Sequence, residues 1–444
     1  MVALLADDAI DELWTLFRKG TTRSRAWRAA QLAGLARMLD THEAEFLAAL
    51  EIDLGKCAFE AATLEIVVTR CEAKSMSSQL GTLMADERVA TPTLMLPGTS
   101  YVRREPLGVC LVVAPFNYPL QLALAPVIGA LGGGNCVVLK PSEKCPATAS
   151  LLARFLPAYC KGIVVIEGGA AVAAELLQHR LSPNTSPNLS PNTSPSPTPT
   201  PSFSLTPSPT PNPNPRRRRW GLIFFTGSLR VGQMHIDIHV FLDILNIPGD
   251  DPAASPDYGK MVDAAAVTRA RAMLAEDHGG EVVYGGHCDE KGRYVAPTIV
   301  LGPREDSRLL SEELFSPILP IIVVENAGEA IELAERRAAQ YEPLAVYIFS
   351  EDSQLVAQAL KRVPSGSALV NDVLLHFGNP NLPFGGVGPS GQGKYHGAAS
   401  FRCFTHERAI LERSTVRNYP QLLLLLLPLP PPSADLMKAT SPDA

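Results

Sequence analysis

The sequence predicts an α/β protein built on a doubly wound parallel sheet, and three observations carry that prediction. Apolar runs of strand length that do not alternate lie at 108–115 (GVCLVVAP), 135–139, 162–166 and 222–225 (LIFF), with helically spaced segments between them. A parallel sheet covered on both faces produces that pattern. Hydrophobic residues make up 46% and charged ones 19% of 444 residues, the balance of a globular chain with room for two or three domains. The eight cysteines contain no C-x-x-C pair and read as scattered thiols of a reducing compartment, not as a disulfide framework.

Taken in order, the first 80 residues read as helices, because Ile10, Leu13 and Phe17, then Leu32, Leu35, Met38 and Leu39, recur at helical spacing. We expect an N-terminal helical pair there. From Pro106 strand and helix alternate: strand 108–115, helix 121–131, strand 135–139, helix 147–159, strand 162–166, helix 170–178 and strand 222–225. Such a succession is a doubly wound domain of the dinucleotide-binding kind. A second α/β block repeats the rhythm at 318–324, 327–337, 344–349, 353–361 and 368–370.

Between the third helix and the fourth strand of the first block, residues 182–215 hold 12 of the 39 prolines among Ser, Thr and Asn. This tract has little to bury and cannot offset its ordering entropy, so we read 182–219 as a disordered insertion ending in the solvated run Arg216–Arg219. Residues 234–256 fit no element.

Thirty-nine basic against 45 acidic residues leave a net charge of -6, which argues against nucleic acid as a partner. The longest wholly apolar run, 422–427, is far below the ~20 residues a membrane span needs, and we expect no stable membrane insertion. Asp7, Asp8, Asp11 and Glu12 stand where a leader would carry basic or apolar residues, so the expected location is cytoplasmic. His235-x-Asp237-x-His239 places three ligand-type side chains on one face of a strand, but a chance run explains it as well; no metal site is expected.

The residues with chemical interest cluster at the carboxyl ends of the predicted strands. Ala114-Pro115-Phe116-Asn117-Tyr118-Pro119 is a sharp turn after the first strand, where such sheets hold their ligands, and an Asn there can donate its side-chain N–H to a developing oxyanion. The second strand ends Leu139-Lys140-Pro141-Ser142-Glu143, with a cation and a carboxylate suited to ribose hydroxyls. The fourth ends Phe225-Thr226-Gly227-Ser228, a glycine and a hydroxyl placed to cradle pyrophosphate. Gly386-x-Gly388-x-x-Gly391 matches the dinucleotide fingerprint letter for letter, but it follows no strand, contains Pro389 and opens no helix. It reads as a tight turn on the substrate side.

Together these segments resemble the aldehyde dehydrogenase superfamily, with its W/F-N-Y/F-P, L-K-P-S-E and F-T-G-S-x-x-V-G motifs. Glu313-Leu314-Phe315-Ser316-Pro317 is similar to the family's E-I/L-F-G-P, and residues 381–391 to its L-P-F-G-G-V-G-x-S-G. The N-terminal helices, residues 104–107 and 394–401 (KYHGAASF) resemble most the short, dimeric class 3 branch.

The resemblance implies an aldehyde-dehydrogenase-like α/β fold. Residues 1–81 and 104–232 would form the NAD(P)-binding domain, 257–401 a reduced catalytic α/β domain, 82–103 and 402–420 a small oligomerisation arm, and 421–444 a disordered tail; 233–256 stays unassigned. It implies NAD or NADP as cofactor, a small-molecule aldehyde substrate oxidised to the carboxylic acid, and a homodimer. Asn117 would be the oxyanion donor. Phe116, Lys140, Glu143, Gly227, Ser228, Glu313 and Phe315 would contact the cofactor: Lys140 and Glu143 the adenosine ribose, Gly227 and Ser228 the pyrophosphate, Glu313 the nicotinamide ribose, and Phe315 the nicotinamide.

One departure is severe. The family's E-L-G-G segment with its general-base Glu and G-Q-x-C segment with its nucleophilic Cys belong after F-T-G-S and before Asp257-Tyr258-Gly259. Only 28 residues separate Ser228 from Asp257, neither motif is among them, and no cysteine lies between Cys160 and Cys288. Two expectations follow: an aldehyde dehydrogenase whose chain is interrupted, as a faulty exon join across 182–215 and 233–256 would make it, or a catalytically inactive dinucleotide-binding pseudoenzyme or dimer partner.

Overall fold

The structure is a computed structural model that describes residues 2–178, 220–226 and 252–413. The Pro-rich tract, the Arg216–Arg219 run, Gly227, Ser228, the His235–His239 run and the 422–427 run lie outside the described residues.

The chain opens with α1 (Val2–Arg18), α2 (Arg25–Thr41) and α3 (Glu43–Leu54). A short α4 (Ala58–Glu60) runs through a π-helical stretch, Ala61–Val67, into α5 (Val68–Leu83). The expected helical pair is thus too few. The apolar spacing of α1 and α2 was legible, whereas α3 and α5 bury Phe46, Leu50, Met76 and Leu80 on faces that the sequence does not set apart as clearly. The starts and stops are local: the Ser24 hydroxyl accepts from the Trp27 N–H at 3.2 Å, and Gly55 ends α3 in the left-handed region at φ 65°.

Next comes the parallel sheet. β3 (Val109–Val113), β4 (Cys136–Lys140), β5 (Ile163–Val165) and β6 (Leu222–Phe225) form the order β5-β4-β3-β6, with every pairing parallel. Between them run α6 (Gln121–Gly133), α7 (Pro146–Tyr159) and α8 (Ala170–Gln178). All of β3 and β4 is buried, as their non-alternating runs require. Ile10 and Leu13 of α1 pack with Val109, Leu111 and Val138, while α6, buried almost all round, fills the other side. Gly134 closes α6 at φ 86°; a Cβ there would meet the Arg28 guanidinium at 2.6 Å, and Arg28 itself donates to the Gly132 carbonyl at 3.1 Å. Cys110 and Cys136 are core residues of β3 and β4, both wholly buried.

The second block departs from the expected rhythm. α9 (Ala264–Ala275), capped by Asp263, precedes β7 (Glu281–Tyr284), β8 (Cys288–Asp289), β9 (Tyr294–Val295) and β10 (Thr298–Leu301). α10 (Arg308–Ser311) and β11 (Ile318–Ile321) follow. β10 pairs parallel with β11 and antiparallel with β7. Cys288 sits in the two-stranded ribbon β8–β9. α11 (Ala327–Tyr341), β12 (Ala345–Ile348), α12 (Ser353–Arg362) and β13 (Ser367–Val370) complete the block, with β12 and β13 a separate parallel pair. Every residue of β12 is only half-buried, and Val323, Phe349 and Leu360 are exposed. α13 (Gly397–Cys403) then packs against α5 and α6.

Residues 84–105 and 406–413 form a second compact unit. There β1 (Glu87–Val89) pairs antiparallel with β2 (Gly98–Pro106), which lies beside β14 (Thr405–Arg413). Within this unit Arg104 pairs with Glu407 at 2.7 Å, and the Tyr101 hydroxyl donates to Glu412 at 2.5 Å. No helix among the described residues is long and apolar enough to cross a membrane.

Candidate functional site

The carboxyl ends of β3, β4 and β6 open into a cleft of 1280 Å³ whose opposite wall comes from the second block. Phe116, Asn117, Lys140, Glu143, Glu313 and Phe315 all line it, so residues far apart in sequence share one wall-to-wall space. Gly227 and Ser228 lie outside the described residues; Thr226, just before them, lines the cleft. The glycine-rich turn contributes Pro389 and Ser390 to the lining through a single 3-10 turn, Gly388–Ser390, with no helix after it.

The turn after β3 is anchored at its start by the Ala114 N–H, which donates to the Lys140 carbonyl at 3.0 Å. The Phe116 ring lies 5.5 Å from that of Phe315, tilted by 56°, and the Lys144 ammonium stands 5.3 Å over it. Asn117 is half-buried, lines the cleft and makes no side-chain hydrogen bond with the described residues. Lys140 is buried at 3% exposure and its Nζ donates to Glu143 at 2.5 Å. Partial burial pushes the Glu143 carboxyl up, but the Lys140 hydrogen bond and the charges of Lys140 and Lys144 outweigh it and hold the group below its ordinary range. Glu143 is therefore an ionised acceptor at neutral pH.

Across the cleft, burial raises the Glu313 carboxyl against the opposing charge of Arg269. Arg269 donates to the Glu313 carbonyl at 2.5 Å and to the Leu314 carbonyl at 2.8 Å, fixing the backbone that presents Glu313 and Phe315. Phe315 sits in the left-handed region at φ 46° and is 48% exposed, a conformation costly for a bulky residue and one that aims its ring at Phe116. Lys144 bridges the two walls through Asp263 at 2.8 Å, and Asp263 in turn caps α9.

Sequence reasoning missed Lys56, Lys144, Asp263 and Arg269. Each is a common surface type in isolation, and only the tertiary structure puts it on the cleft or against its backbone. No cysteine lines the cleft among the described residues. Beside the turn, the Cys145 thiol donates to the Phe116 carbonyl at 3.3 Å; burial pushes it up to about 12, as it does Cys136. Among the described residues no group of three or more His, Cys, Asp or Glu could hold a metal ion.

Comparison with known proteins adds the following. The aldehyde dehydrogenase family model matches residues 5–183 and 245–410. The rat protein named aldehyde dehydrogenase family 3 member B1 is 36% identical over 434 residues, covering 92% of each chain. The Dictyostelium discoideum protein named aldehyde dehydrogenase family 3 comG is 33% identical over 452 residues, covering 94% of this chain and 93% of that one. Among solved structures, the substrate-bound state of Staphylococcus aureus AldH superposes with a TM-score of 0.77 at 28% identity over 98% of this chain and 99% of that one. Succinic semialdehyde dehydrogenase from Streptococcus pyogenes, in complex with NADP+, gives 0.70 at 20% identity over 91% and 94%, a likeness of fold.

Proposed function

The chain belongs to the aldehyde dehydrogenase family, and from that premise we propose that it binds NAD or NADP in the cleft and serves the oxidation of aldehydes to carboxylic acids. The observation that carries this reading is the convergence of Asn117, the Lys140–Glu143 pair and Glu313–Phe315 on one cleft at the carboxyl ends of a parallel sheet. The donor set fits a dinucleotide: an ionised carboxylate beside a buried ammonium for ribose hydroxyls, and an aromatic pair for a planar ring. Bound there, the dinucleotide supplies a hydride acceptor. Lys140 and Glu143 hold the adenosine ribose, Glu313 the nicotinamide ribose, and Phe116 and Phe315 flank the ring. Gly227 and Ser228, in the same reading, hold the pyrophosphate. Asn117 donates to the oxygen of the substrate carbonyl as negative charge builds on it. Residues 82–103 and 402–420 act as the arm that pairs two copies in a cytoplasmic homodimer.

A second reading is favoured by the cysteines. The cleft has none among the described residues, and 229–256 contain neither Cys nor Glu, so the chain as it stands is a dinucleotide-binding pseudoenzyme or the partner of an intact subunit. Sequencing the mature transcript across codons 180–260 separates the two. Restoration of E-L-G-G and G-Q-x-C makes the product an enzyme. Unchanged residues, with saturable NAD+ binding and no reduced cofactor formed from added aldehyde, make it a binder. Absence of any NAD+ or NADP+ binding refutes both.

A further inference from the structure

We infer that Lys56 and Glu65 form a positioning pair that fixes the Phe116–Tyr118 turn against the cleft, a role that rests on the reading of that turn as the cofactor and oxyanion wall.

Glu65 is wholly buried and spends both carboxylate oxygens on this one region. Oε1 accepts from the Lys56 ammonium at 2.6 Å, and Oε2 accepts from the backbone N–H of Leu120 at 2.8 Å and of Gln121 at 3.2 Å. Those two amides open α6 directly behind the turn, and amides at a helix start have no partner within their own helix. Lys56 closes the unit from the other side. Its Nζ stands 3.9 Å from the centre of the Tyr118 ring and 3.7 Å from Glu60, and Lys56 lines the cleft. One buried ion pair therefore clamps the residues that follow Asn117 through a ring, two amides and a helix start.

Stability alone is a weak reason for such a pair. Burial raises the Glu65 carboxyl against the Lys56 charge and hydrogen bonds that lower it. Taking two charges out of water costs about what their attraction returns, and apolar pairs of equal volume commonly serve as well. The backbone around Glu65 points the same way. Residues Ala61–Val67 are π-helical between α4 and α5, a local irregularity that rotates Glu65 relative to a regular helix and recurs at functional sites. Cys145 and Lys144 hold Phe116 from the far side, so the turn is gripped at both ends while the Asn117 amide is left open.

The test uses the full chain and four variants: Lys56→Met, Glu65→Gln, the double Lys56→Met/Glu65→Gln, and Lys56→Arg. Gln keeps an acceptor for the two amides but turns a donor toward Lys56, so Glu65→Gln breaks the link and spares the helix start. Two readouts are taken, amide hydrogen exchange over 116–121 and NAD+ affinity from titration. We expect faster exchange confined to 116–121 and an NAD+ Kd raised about fivefold in Lys56→Met and Glu65→Gln, with both restored in Lys56→Arg. The double variant holds no buried charge and remains a folded control if either single variant does not fold; it shows the same loosened turn. Parent-like exchange at 116–121 in a cooperatively melting Lys56→Met or double variant overturns the proposal, as does faster exchange with unchanged affinity. If the parent binds neither NAD+ nor NADP+, the cofactor reading fails by itself, and exchange over 116–121 alone then decides whether the pair positions the turn.

Discussion

Replacing Glu72 by Gln should make stability rise with pH between about 4.5 and 6.5, where that of the parent stays level. Glu72 on α5 is 3% exposed and faces His396 at the start of α13, with 3.7 Å between Oε2 and Nδ1. Burial pushes the carboxyl up to about 7, and the Gly397 N–H offsets this only in part. Burial also pushes His396 down to about 4, with a smaller contribution from His376. Tyr395, its ring 4.4 Å from that of His396 and tilted by 40°, is a neutral phenol that burial and Glu72 push further up. A carboxyl titrating near 4.5 when unfolded and about 7 when folded makes the folded state the one that binds the proton. Its stabilisation is complete below about 4.5 and is lost as pH rises to about 7, ~3 kcal/mol in all. His396 runs the opposite way, its neutral burial costing stability as pH falls from about 6.5 to about 4. In the parent the two slopes cancel between about 4.5 and 6.5. Glu72→Gln keeps only the histidine slope, so the variant's advantage over the parent grows by ~3 kcal/mol from pH 4.5 to pH 7 and is constant above. Urea unfolding followed by tryptophan fluorescence at steps across that range reads it directly. A variant-minus-parent difference that does not change with pH refutes the reasoning.

Two further outcomes are expected. Glu143→Gln removes the anion that pairs with buried Lys140 and that would repel a 2′-phosphate, so NAD+ binding should weaken about tenfold and NADP+ binding should weaken less; a variant that keeps the parent's affinities for both cofactors, by titration, would count against the assignment. The exposed apolar side chains of the second block, among them Val323 at 74% and Phe349 at 48%, should make the purified chain self-associate, and Val323→Thr with Phe349→Ser should lower its light scattering without touching the cleft; a monodisperse, cooperatively melting parent would sink this.

The parallel sheet was legible because a strand buried on both faces must be apolar throughout, and β3, β4 and β6 fell within a residue or two of the runs that announced them. Two helices of the second block, α11 and α12, were legible by their spacing, whereas α9 and α10 were not read, and its strands divided between a mixed three-stranded sheet and a separate pair, since pairing depends on which strands the rest of the chain brings alongside. The motifs at the strand ends singled out Phe116, Asn117, Lys140 and Glu143, because local turn chemistry fixes what a strand end can present, and the family resemblance added Glu313 and Phe315. They could not name Lys56, Glu65, Asp263 or Arg269, which act on the cleft walls from neighbouring elements through contacts such as Glu65 to Leu120 and Arg269 to Leu314. By itself the sequence determined the family, the sheet and the residue types at its carboxyl edge. Only the tertiary structure decided the charges and strain around them: a Lys140 buried enough to need its carboxylate, a Glu72 raised toward neutrality by burial in a histidine-faced pocket, and a Phe315 held at positive φ over its partner ring. Burial and through-space distance set those properties, and neither is carried by any local stretch of chain.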